Sequence, residues 1–375
     1  LPLHIEITGV GSQSELRANL ADRARAVFAL NVIDQEDWHI DRGAIRLGIG
    51  QANLPADEVI QVRGRVKRFD APAYVLAWQQ LTKGSPDTHA DIDISADELV
   101  LSERVYDDAR IQASGAVSDA PAASTALRIE ADSLGVLTGT LAPDARQIVF
   151  SDLRIRKGAL TGTGTLRCAA NLASCHSEFE LETVDAEATL ADLGFRPDLS
   201  AARGSLSGEI AWEPLREGSW LGSATGTLSM RFEDGAAYAP GDKPGQPLGL
   251  LTVPALLGGL ESEVVPGGDL KFTRLEARFQ LRDGQATTSD LHFDGDAEIL
   301  IRGRTGLLTH DYDHEAWVLR GEERIPASVR RLPSAPRVAA AWLSLRDLIG
   351  GDATKRSRIV LRLRGSWSEP TVTAE

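Results

Sequence analysis

The stretch LEARFQLRDGQATTSDLHFDGDAEILIRG, residues 275–303, alternates apolar and polar side chains with a period of two. Leu275, Ala277, Phe279 and Leu281 share one side, and Glu276, Arg278, Gln280 and Arg282 share the other. A β-strand sends successive side chains to opposite faces, so this is the pattern of a strand with one apolar and one wet face. After the turn sequence Arg-Asp-Gly the apolar side resumes with Leu291, Phe293, Ala297, Ile299 and Ile301, and Glu298 falls on the wet side.

The same period appears on both sides of this stretch. VIQVRGRVKRFD, from Val59, sets Ile60, Val62 and Val66 against Gln61, Arg63, Arg65 and Lys67. In GTLSMRFEDG, Leu228, Met230 and Phe232 oppose Ser229, Arg231 and Glu233, and in RIVLRLRG, Ile359, Leu361 and Leu363 oppose Arg358, Arg362 and Arg364. The turn sequences EDG, RDG and FDG recur at short intervals, which predicts hairpins and meanders of antiparallel strands rather than parallel crossovers. The fold class is therefore mainly β. Four segments have helix-like spacing: the opening stretch, APAYVLAWQQL from Ala71, AEATLADLG from Ala186, and PRVAAAWLSLRDLIGG from Pro336. The last places Val338, Trp342, Leu345, Leu348 and Ile349 on one stripe. No sharp linker or strict repeat interrupts residues 1–375, and SDAPAAST at 118–125 is the one candidate subdivision, read as a surface loop or hairpin tip.

Charge and motifs narrow the function. A net charge of -14 excludes the basic footprint that general nucleic-acid binding requires. No apolar run reaches the roughly 20 residues of a membrane-spanning helix. The opening LPLHIEITGVGS has no signal-like core, so any anchor or leader is expected upstream. Cys168 and Cys175 flank the short loop of CAANLASC; a local disulfide would contribute somewhat less than about 3 kcal/mol and favours an oxidising compartment, and two buried thiols are the alternative. In THDYDHE a strand would point His310, Tyr312 and His314 one way and Asp311 and Asp313 the other, so the ligands do not converge on a metal. GVGSQS, GIGQAN and GTGTL complete no phosphate-binding signature, and neither a GxSxG elbow nor HExxH occurs. No cofactor, metal site or catalytic constellation is expected.

Several stretches, in order, resemble one family. DWHIDRGAIRLGIGQANLP with VIQVRGRVKRFD resembles a strand pair in the C-terminal part of bacterial AsmA-like proteins of the YhdP branch. DAEATLADLGFRPDLSAARGSLSGEIAWE is similar to its short helix, "LG" turn and Gly-rich strand ending at a tryptophan, here Trp212. GTLSMRFEDGAAYAPGDKPGQPLGLLTVPALLGGL resembles its strand, acidic-Gly turn and greasy "LGLL" segment, and RLRGSWSEPTV its closing strand. The CAANLASC loop and the basic ERIPASVRRLPSAP depart from that pattern.

The resemblance implies a long, twisted antiparallel sheet curled into an open apolar groove, forming one continuous segment at the C-terminal, outer-membrane-proximal end of a longer periplasmic protein anchored in the inner membrane. It implies non-enzymatic transfer of glycerophospholipids, with phospholipid and an outer-membrane-proximal membrane or protein as partners. Leu228, Met230, Phe232, Leu275, Phe279, Leu281, Phe293, Ile299, Ile301, Ile359, Leu361 and Leu363 would then line the lipid groove. Residues 244–260 carry no charge, and Gly249, Pro254 and Gly258 make them a poor long helix. Leu250, Leu251, Leu256 and Leu257 are expected to form a short lid over the groove or to touch lipid, as are Trp342, Leu345, Leu348 and Ile349. Two alternatives remain: a structural or adaptor β-sandwich of the cell envelope, whose strands would show the same alternation, and a carbohydrate-active β-fold enzyme, for which converging carboxylates and aromatic platforms are lacking.

Overall fold

The computed structural model describes residues 3–10, 13–32, 38–75, 88–101, 104–117, 124–143, 147–214, 219–239, 244–258, 269–319 and 358–374. Among these residues the protein is mainly β, with twenty strands and a few short helices. It divides into two units: Leu1–Lys157 with Thr163–His176, and Gly158–Gly162 with Ser177–Glu375.

Unit 1 is built on β1 (Leu3–Val10), β2 (Gln13–Leu20), β3 (Ala24–Val32), β4 (Trp38–Leu47), β5 (Val59–Asp70), β6 (Thr88–Leu101), β7 (Arg104–Val117), β8 (Thr125–Ala131), β9 (Gly135–Pro143) and β10 (Gln147–Lys157). Each pairs with its neighbour in sequence. The opening stretch is the hairpin β1–β2 and not a helix: Leu3, Ile5 and Ile7 alternate with polar residues, and that period decides. Two pairs depart from the antiparallel expectation, because β4–β5 and β5–β6 are parallel. Parallel neighbours need a crossover, and the connections at 48–58 and 71–87 supply it. The second opens with helical backbone over 71–75, where Asp70 Oδ1 accepts a hydrogen bond from the Ala73 N–H at 3.2 Å; the rest of APAYVLAWQQL lies outside the described residues. Most of the SDAPAAST stretch also lies outside them, between β7 and β8.

β11 (Leu160–Ala169) and β12 (Cys175–Thr183) follow, and a disulfide joins Cys168 to Cys175. Their loop folds inward on Leu172, whose N–H donates to the Ala169 carbonyl at 2.8 Å.

Unit 2 contains α1 (Ala186–Asp192), β13 (Leu199–Trp212), β14 (Thr225–Tyr238), α2 (Thr252–Leu257), β15 (Asp269–Arg282), β16 (Gln285–Gly295), β17 (Glu298–Gly306), β18 (Asp311–Leu319), β19 (Arg358–Ser366) and β20 (Pro370–Ala374). From β13 to β20 every strand pairs antiparallel with the next. Arg282 pairs with Gln285 across Asp283 and Gly284, both in the left-handed region, so RDG makes a two-residue hairpin turn. EDG does not turn the chain. Asp234 has φ +53 inside β14, and the strand continues to Tyr238 in unchanged register, so the acidic-Gly pair kinks a strand. α1 starts at Asp185, whose side chain accepts from the Ala188 N–H, and its buried Ala186, Thr189 and Leu190 pack on the sheet.

Candidate functional site

Strand register converts the alternation into rows of side chains that run across each sheet, because directly paired residues point to the same face. In unit 1 one row passes through Leu3, Leu20, Ala24, Leu47, Gly64, Ile94, Ile111, Ile129, Leu137 and Ile155, one residue from each of ten strands. A parallel row runs through Ile5, Ala18, Ala26, Ile45, Val62, Ile92, Ala113, Leu127 and Gly139. Neither contains a polar side chain. At about 4.8 Å per strand the first row is roughly 43 Å long, against about 15 Å for one leaflet of a bilayer's hydrocarbon core.

This face is only partly dry. Ile94, Ile111 and Ile129 are buried, whereas Ile45, Ile92, Leu127, Leu137 and Ile155 remain half-exposed, and Leu3, Ile5 and Ile7 on the edge strand are 54–63% exposed. The opposite face is charged and paired. Arg110 meets Asp93 at 2.7 Å, Arg68 meets Glu98 at 3.0 Å, and Arg63 meets Asp91. The hydrogen bond from Arg110 holds the Asp93 carboxyl below its ordinary range.

Unit 2 repeats the scheme with larger side chains. Its main row is Gly204, Phe232, Leu275, Phe293, Ile299, Val318 and Ile359, and beside it Leu291, Ile301, Ala316 and Leu361 lie in register. The twelve residues that the sequence assigns to a groove all fall in one apolar cluster: Leu228, Met230, Phe232, Leu275, Phe279, Leu281, Phe293, Ile299, Ile301, Ile359, Leu361 and Leu363. Ten are buried, and Phe232 and Ile359 are partly so. Leu251, Leu256 and Leu257 are buried in the same cluster and Leu250 packs against it, so the greasy segment lies on the apolar face. All six side chains of α2 are buried. Trp342, Leu345, Leu348 and Ile349 lie outside the described residues.

Two expectations need correction. Glu298 is not on a wet surface: it is 0% exposed and bonds His292 Nε2 at 2.9 Å on the other side of the sheet, where Leu300 and Leu319 are also buried. His310 does not share a strand face with Tyr312 and His314; it sits in the preceding turn at φ +51 with its ring 4.6 Å from Trp367.

Tyr312 and His314 do point inward together, and Asp311 and Asp313 point outward to Arg304 and Arg364. With Thr305 they place three polar groups on an otherwise apolar face. Thr305 Oγ1 and His314 Nε2 share a hydrogen bond of 2.9 Å, and the same hydroxyl lies 3.4 Å from the Gly249 carbonyl. Burial pushes the His314 imidazole down to about 4, so it is neutral at pH 7, and burial raises the Tyr312 phenol. The inward direction of Tyr312 and His314 was readable from strand period. Their setting was not, because Thr305 and Gly249 reach them from other elements.

Among the described residues no group of three or more His, Cys, Asp or Glu is placed to hold a metal, and no helix is long and apolar enough to cross a membrane. No curated protein and no solved structure matches the chain. A family model described as YhdP protein matches residues 121–372, a range that includes every strand from β8 to β19 and the start of β20. With two thirds of its length covered by that match, the chain belongs to the YhdP family.

Proposed function

We propose that the protein transfers lipid without covalent chemistry, carrying the acyl chains of glycerophospholipids along the apolar face of its sheet between the inner and outer membranes. The observation that carries this reading is the ten-strand apolar row of unit 1, half-exposed and backed by a face of paired charges. Each buried CH₂ is worth about 0.8 kcal/mol, so an acyl chain gains by lying on such a row, and uniform Ile, Leu, Ala and Gly side chains offer no deep site to arrest it. The disulfide supports an oxidising compartment, the periplasm. Family membership supports the lipid class.

The dry cluster of unit 2 favours a second reading, in which the apolar face is a core and the protein a structural module. The two part at unit 1. Photo-crosslinking residues at Leu127 and Leu137 should capture phospholipid in cells, and the same probes at Arg128 and Thr138 should capture little. Equal capture at all four positions, or none, would leave the structural module standing.

A further inference from the structure

At one end of unit 2's apolar face the side chains change character. Arg196 and Asp198, joined at 2.5 Å and only 16% and 9% exposed, line a small cavity with Tyr312, Trp367 and the uncharged segment at 247–255. Trp367 Nε1 is buried there with no hydrogen-bond partner. The rings of Tyr312 and Trp367 are 6.4 Å apart, and Trp367 lies so close to Gly249 that a Cβ there would be 2.2 Å from its ring. The cavity has room for about one water, so a headgroup would need the 247–255 segment to lift.

We propose that this cavity is a headgroup site for a zwitterionic phospholipid bearing a phosphate and a primary ammonium. The proposal rests on the lipid-transfer reading above and adds a place where the headgroup is recognised. Arg196, the Trp367 indole N–H and the Tyr312 hydroxyl are donors suited to phosphodiester oxygens, and Asp198 is the acceptor for an ammonium, which also gains over an aromatic face. The pairing sets a preference. A zwitterion exchanges one buried ion pair for two and leaves the charge of the site balanced. An anionic headgroup would satisfy Arg196 and leave Asp198 facing a like charge, which discriminates against it.

The test is competitive loading of the whole protein from vesicles holding equal amounts of phosphatidylethanolamine and phosphatidylglycerol with matched acyl chains, followed by mass spectrometry of the lipid retained. Wild type should carry phosphatidylethanolamine in about tenfold excess, and Asp198→Asn should bring the ratio close to one. Trp367→Phe, which removes the indole donor together with the part of the ring packed on Gly249, should lower phosphatidylethanolamine retention several-fold while leaving a folded protein with a modestly lower Tm. It decides the matter if Asp198→Asn fails to fold. A wild-type ratio near one, a ratio unchanged in Asp198→Asn, or retention unchanged in Trp367→Phe overturns the headgroup site. If the Leu127 probe still captures lipid in that case, only this assignment falls; if it captures none, the transfer reading falls with it.

Discussion

In unit 1, Ile92, Leu127, Leu137 and Ile155 keep contact with solvent on a face without a charge, whereas in unit 2 Phe279, Phe293, Leu275 and Ile299 lie on the equivalent face of their own sheet and are dry. Both faces come from the same period-two pattern. The difference lies in what stands above the strands. Unit 1's rows are low, with Ala18, Ala26, Ala113 and Gly139 among their members, and among the described residues only Ala71, in the segment at 71–75, and Leu134, in the turn between β8 and β9, join their clusters from outside the strands. Unit 2's rows carry phenylalanines and a methionine, and α2 contributes six buried side chains to the same cluster. Alternation therefore fixes which side chains share a face, and the covering segment fixes whether that face keeps contact with solvent or becomes a core.

The sharpest test of this contrast is one charge placed on each face. Phe279→Asp buries a carboxylate where the wild-type side chain is 0% exposed, and should cost at least about 4 kcal/mol, enough to unfold unit 2 in most conditions. Leu127→Asp, at a half-exposed position, should cost about 1–2 kcal/mol and leave a folded protein whose neighbouring Leu137 probe captures less lipid. Comparable destabilisation at both positions, read from urea midpoints, would mean that the two faces do not differ in the way proposed. Next in size is the cover itself. Leu256→Ala in α2 should cost about 3 kcal/mol as a cavity opens, and, if the helix is what closes the face, it should also raise lipid capture by a probe at Phe279. Destabilisation without any gain in capture would make α2 a plain core element.

The polar group on unit 2's face adds a pH test. His314 has its folded value lowered from the ordinary 6.5 to about 4, so the unfolded chain takes up the proton first. Its contribution is therefore fully present above about pH 6.5 and is lost as pH falls towards 4, amounting to about 3 kcal/mol over that interval. Chemical denaturation at pH 7 and pH 4.5 should show wild type losing more stability than His314→Asn. Equal losses would show that the imidazole is not held neutral by burial.

Much of this was legible in the sequence because strand period is a local signal. VIQVRGRVKRFD is β5 from its first residue to its last, and the alternation around Phe279, Ile299 and Leu361 placed twelve distant residues on one face. What failed needed partners from elsewhere in the chain. Glu298 continues the wet phase of its strand, yet a second set of buried residues, His292, Leu300 and Leu319, lies on that side. The parallel pairing of β4, β5 and β6 depends on where two connections return the chain. Asp234 and Gly235 have turn chemistry, but their strand is held on both sides, by β13 and β15, so they bend it and the chain runs on. Arg196 and Asp198 carried no sequence signal, since their setting is made by residues 50 to 170 positions away.

The smallest effects belong to the charged faces, where the two units are alike. Arg63 pairs with Asp91 in unit 1 and Arg302 with Glu315 in unit 2, each across neighbouring strands with side chains 26–50% exposed. Exposed pairs of this kind contribute less than about 1 kcal/mol because water and salt screen them. Arg63→Ala and Arg302→Ala should therefore shift urea midpoints slightly and to similar extents, with Arg302→Ala the larger, because its guanidinium also stands 4.5 Å over the Trp317 ring, worth about 0.5–1 kcal/mol. Lipid capture at Leu127 should not change in either variant. A large loss of capture in Arg63→Ala would mean that the outer face of unit 1 takes part in transfer, and the division into an apolar track and a solvated back would have to be redrawn.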